Sequence, residues 1–148
     1  MAIASLRNVL KIFGGGEPTP AERQQLVKEV LLMTLARASN SDTNMHPVEV
    51  SAVQKIIKQV TGEEVSAADV QVAGRSAVFE TTSLEAMLAK VGHKLDAQDR
   101  TVIAHSLAEV IKSDRDVTES EIGFFDGVAT ALKVRPSELA GLTLKRNQ

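Results

Sequence analysis

Residues 42–49 and 114–121 carry one pattern: an Asp, two residues, an apolar residue, three residues and a Glu. A shift of 72 residues superimposes the copies, Asp42 on Asp114 and Glu49 on Glu121. The match spreads to the flanks: Leu35 on Leu107, Ala36 on Ala108, Ser41 on Ser113, Val50 on Ile122, Val53 on Phe125, Ile56 on Val128 and Val60 on Leu132. On each side of the acidic segment the apolar residues recur at intervals of three and four, the period of a helix with one buried face. The chain is therefore constrained to two copies of one unit, an apolar helix, an acidic loop and a second apolar helix.

The rest of the sequence agrees with an all-α fold. The four Phe are the only aromatic residues, so the core must be built from Leu, Val, Ile, Ala and Met, which suits helix-on-helix packing. No alternating run of β-branched residues lies between turn signals. Thr19, Pro20 and Glu22 form an N-cap, a first-turn proline and a capping box, opening a helix that runs through Leu26, Val30 and Met33 to about Ala38. After the first acidic loop, Pro47 opens a helix with Val50, Val53, Ile57 and Val60, stopped by Gly62. Ser66 with Asp69, Thr82 with Glu85, Asp96 with Asp99 and Thr118 with Glu121 each mark a further helix start, and a final turn begins near Pro136 with Leu139 and Leu142. The expected architecture is a single all-α domain of seven or eight helices built from two related hairpins.

Ahead of this domain, residues 1–16 form an amphipathic helix and a glycine linker, and residues 17–148 the helical domain proper. Ile3, Leu6, Leu10 and Phe13 share one face, and Gly14-Gly15-Gly16 detaches the segment from the domain behind it. The helix can pack on its own domain, dock on a partner or lie on a membrane. Arg7 and Lys11 supply less cationic charge than interfacial helices usually carry, which favours docking or packing.

Composition narrows the function. With no Cys, disulfides, thiolate metal sites and Cys nucleophiles are excluded. A net charge of −2 with scattered Lys and Arg lacks the clustered basic footprint of a nucleic-acid binder. No apolar run approaches the roughly 20 residues of a membrane span, and Gly14-Gly15-Gly16 with Glu17 stands where a signal peptide would carry its small-residue cleavage site. A cytoplasmic protein is expected. No nucleophile elbow or phosphate loop appears, and no organic cofactor is implied. His46, His93 and His105 have no partner at metal-ligand spacing. An enzyme is not expected.

The acidic loops are the candidate chemistry. Asp42, Asn44 and Glu49 can offer oxygen to one point, and so can Asp114, Asp116 and Glu121, with Glu119 nearby. Hard divalent cations take several oxygen ligands, and a cation would relieve the repulsion among close carboxylates. The loops are not EF-hands, which need twelve residues, a Gly at the sixth and a Glu at the twelfth. A second reading stands beside the first: Glu49 and Glu121 fall at the third helical position after His46 and Thr118, where a capping box places Glu.

Leu35-Ala36-Arg37-Ala38 before Asp42, Val50 after Glu49, Leu107-Ala108-Glu109-Val110 before Asp114 and Ile122-Gly123-Phe124-Phe125 after Glu121 resemble the TerB-like tellurite-resistance family. The resemblance covers roughly Gln25 to Leu142, and the second copy, with Val134-x-Pro136-Ser137-Glu138-Leu139 behind it, is the closer match. It implies an all-helical bacterial cytoplasmic domain, peripheral at the inner membrane where the family works in membrane-linked complexes. It also implies a role in resistance to tellurite and other stresses, and divalent-cation binding through Asp42, Glu49, Asp114 and Glu121, with Asp116 at the variable third position. Thr43 and Arg115 stand where the family's loop carries Gly, and Arg115 can act as an internal counter-charge. The function expected is a non-enzymatic helical module that binds a divalent cation or uses its acidic surface for partner recognition. The alternative is a metal-free structural or interaction subunit, docking to a protein partner in a larger, membrane-linked assembly through Ile3, Leu6, Leu10 and Phe13; self-association is a further option.

Overall fold

The computed structural model describes residues 3, 6–40, 48–80, 82–113 and 119–134. These form seven α-helices: α1 (Arg7–Phe13), α2 (Pro20–Ala38), α3 (Val50–Thr61), α4 (Ala67–Gly74), α5 (Leu84–Val91), α6 (Ala97–Lys112) and α7 (Glu119–Leu132). Short 3-10 turns at Ala77–Glu80 and Gly92–Lys94 precede α5 and α6. No strand occurs among the described residues. The expected final turn from Pro136 lies outside them, as do the centres of both acidic loops.

The hairpins read from the repeat are α2–α3 and α6–α7, and the two long first helices, α2 and α6, pack on each other at the middle of the bundle. Helix α2 also meets α1, α3, α4 and α5, so from Glu29 to Ala36 every side chain is buried. A helix apolar nearly all round belongs at a centre rather than a surface. Its one buried hydroxyl, that of Thr34, is satisfied by donating to the Val30 carbonyl at 2.8 Å. Repeat-matched residues keep matched burial near the centre: Leu35 and Leu107 are both fully buried, as is Val53, and Phe125 nearly so. Away from it they diverge. Leu132 is buried while its counterpart Val60 is 44% exposed, because α5 packs along α7 whereas α3 rests on α2, α4 and α6.

Capping residues set the helix starts. Thr19 Oγ1 accepts from the Glu22 amide at 3.2 Å, and Glu22 Oε1 accepts from the Thr19 amide at 2.9 Å and from Lys11 Nζ at 2.8 Å. Ser66 and Asp69 form the same reciprocal box on α4, and Asp96 caps α6 through the Asp99 amide at 2.8 Å. The start of α5 differs by one residue from expectation: Ser83, not Thr82, is the N-cap, accepting from the Ala86 amide at 3.1 Å. Replacing Thr19 by Ala, which removes one half of its box, is expected to lower unfolding stability by about 1 kcal/mol in urea titration.

Of the dispositions open to the N-terminal segment, the structure shows packing on its own domain, but through a different face from the one expected. Helix α1 packs against α2 and α5 instead of standing off behind a free linker. Its inward residues are Val9 and Ile12, joined by Ile3 and Leu6, whereas Leu10 is 43% exposed and Phe13 half-buried beneath Lys90 Nζ, 4.7 Å from the ring centre. The physical reason is local. Leu6 precedes the helix with φ 54° and ψ 37°, a left-handed turn that breaks the helical period. Ile3 and Leu6 therefore reach the core by a different path from the residues after them, and the face read across the whole segment does not exist. Pro18 in the linker is also buried.

Candidate functional site

The two acidic loops present different glutamates. Asp42, Asn44 and His46 of the first loop, and Asp114, Asp116 and Thr118 of the second, lie outside the described residues. Glu49 is exposed in extended backbone (φ −75°, ψ 140°) immediately ahead of α3, and its side chain makes no capping hydrogen bond. The expectation that Glu49 sits at a third helical position therefore fails, because α3 starts only at Val50. Glu121 does stand third in α7, after the exposed Glu119 and Ser120, and its side chain is wholly buried. Repeat-matched glutamates thus end in water in one hairpin and in the core in the other. A negative charge in the first turn of α7 suits the helix dipole. Among the described residues, no three His, Asp or Glu gather closely enough to hold a metal ion. His93 and His105 are both exposed, His105 on α6 ahead of the second loop.

A second buried carboxylate escaped the sequence reading. Glu29, in the middle of α2, is 3% exposed. Its Oε1 accepts from the backbone amides of Asn8 and Val9 at 2.8 and 3.0 Å, and its Oε2 accepts from Asn8 Nδ2 at 2.7 Å. The first turn of α1 has no local side-chain cap, so a glutamate from another helix supplies it. Burial pushes this carboxyl above its usual value, against the opposing pull of its three N–H donors and Arg7. One sequence signal pointed to it: Glu29 lies on the apolar stripe of α2, three residues after Leu26 and four before Met33.

The end of α4 makes another joint. The Gly74 carbonyl accepts from Arg37 at 2.9 Å and from Asn40 Nδ2 at 3.0 Å, and the Arg37 guanidinium lies over the Phe79 ring at 4.4 Å. These contacts lock the C-terminal ends of α2 and α4 together just before the first acidic loop.

A surface hollow of about 480 Å³ opens between α2, α3 and α6, lined by Arg23, Lys28, Lys94, Asp96 and Asp99 over Val60 and Val102. Lys28 pairs with Glu63 and Lys94 with Glu17, each at 2.8 Å. Burial and the neighbouring Asp96 carboxylate raise the Asp99 carboxyl above its usual value. The hollow is lined by charges of both signs and contains no His.

No helix among the described residues is long and apolar enough to cross a membrane. No curated protein and no solved structure matches the chain. The family model "Tellurite resistance protein TerB" matches residues 28–144, from the middle of α2 through both acidic loops and past the end of α7. With most of its length and its whole repeat inside that match, the chain belongs to the TerB family.

Proposed function

We propose that this TerB domain is a non-enzymatic module that binds a divalent cation at its second acidic loop, in stress- or tellurite-resistance complexes in the cytoplasm or at the inner face of a membrane. The observation that carries the reading is the contrast between the two loops. The second places Asp114 and Asp116 in sequence just ahead of Glu121, whose carboxylate is sequestered from water at the head of α7. The first substitutes Asn44 for one carboxylate and leaves Glu49 in solvent. A buried carboxylate following two more sets an all-oxygen, strongly anionic donor set, the kind hard cations take. Asp114, Asp116 and Glu121 would hold the ion, and Asp42 and Glu49 would form at most a weaker second site.

Calorimetric titration with Ca²⁺, Mg²⁺, Mn²⁺ and Zn²⁺ tests this. Binding heat is expected with at least one ion, abolished in Asp114→Ala and retained in Asp42→Ala. Absence of heat with all four ions overturns the reading. The interaction-subunit alternative is supported less well, because Ile3 and Leu6 are committed to the domain's own core and Leu10 alone of the four stripe residues is largely exposed.

A further inference from the structure

Helix α1 differs from the other helices in how it is held. It has seven residues, too few to persist as a helix without tertiary support. It begins at Leu6 in a left-handed conformation that L-residues adopt at a cost. Its first amides are capped by Glu29, a side chain 20 residues away in sequence, and by no neighbour of its own. Behind it, Gly14, Gly15 and Gly16 fold back onto the Leu10, Ile12 and Lys11 carbonyls, and Gly15 sits at φ 95°. The linker is then pinned by Glu17 to Lys94 and by the burial of Pro18. The family match begins at residue 28, so α1, its linker and the first turns of α2 all lie ahead of it.

We propose that α1 is a strap that opens as a unit, pivoting on the anchored linker and uncovering the α2–α5 surface while α2 to α7 stay folded, with the Glu29 clamp on Asn8 and Val9 as its latch. The clamp joins α1 to α2 alone: none of its hydrogen bonds links two of the helices α2 to α7. Loss of the latch therefore raises the open population without loosening α6. Such sub-global opening is drawn from the least stable part of a fold.

Hydrogen–deuterium exchange on the full chain tests this directly. In the unmodified protein, the amides of residues 9–13 are expected to exchange at least about tenfold faster than the central amides of α2 and α6. In Glu29→Ala the α1 rates should rise by about a further tenfold or more while those of α6 stay within about twofold. Asn8→Ala, which removes only the Oε2 contact, should give a smaller rise confined to the same residues. The proposal is overturned if α1 and α6 exchange together in the unmodified protein. It is equally overturned if Glu29→Ala, or Asn8→Ala where the first variant does not fold, accelerates all helices alike.

Discussion

Leu35→Ala and Leu107→Ala should each cost about 3–4 kcal/mol of unfolding stability, measured by urea titration at neutral pH. The two residues are counterparts in the repeat, on the two central helices, and neither has any exposed surface. Truncation removes the transfer energy of three buried carbons and leaves a cavity that rigid neighbours cannot fill. Helix α2 is enclosed by five other helices, so its walls cannot collapse inward. Helix α6 meets α2, α3 and α7 and has some solvent on its remaining face, so Leu107→Ala should fall at the lower end of the range. Equal losses below about 1.5 kcal/mol would contradict the burial of both side chains. The same truncation made at the outer counterparts should give unequal results: Leu132→Ala is costly, while Val60→Ala is nearly neutral because Val60 is already 44% in water.

Gly74→Val should cost about 3 kcal/mol. A Cβ at residue 74 would lie 3.0 Å from the Ala36 carbonyl oxygen and 3.3 Å from its carbon. The obstacle is backbone of the most enclosed helix, so relief must come from moving α4. Movement of α4 would in turn stretch the hydrogen bonds from Arg37 and Asn40 to the Gly74 carbonyl. Alanine at the same place meets the same contact with less bulk and gains up to about 1 kcal/mol of helix propensity over glycine. Its cost in thermal denaturation should therefore lie well below that of valine. A valine variant as stable as the parent would mean that α4 does not approach α2 this closely.

How legible each feature is in the sequence depends on how local its interactions are. Helix starts at Thr19, Ser66 and Asp96 were legible because their caps close within three residues. The hairpin repeat was legible because counterparts such as Leu35 and Leu107 occupy the same central position. The Glu29 clamp was not, since its partners lie 20 and 21 residues upstream and only its place on an apolar stripe betrayed it. The approach of Gly74 to Ala36 had no local mark at all. At the acidic loops, the repeat foretold equal glutamates, but α3 begins after Glu49 whereas α7 begins before Glu121. That offset in helix start, invisible in the aligned pattern, decides which carboxylate is buried.

The enclosure of α2 has a consequence for how the chain can be divided. A duplicated sequence invites the thought that each half is a miniature of the whole, able to stand alone. Here the first half contains the helix that the second half must cover. Separated between α4 and α5, it would expose the part of α2 that α6 and α5 shield, a leucine-rich surface in a fragment of about half the chain. The fragments should aggregate apart and fold when mixed. The two halves of the repeat thus share one spine, α2, and neither is expected to fold without the other.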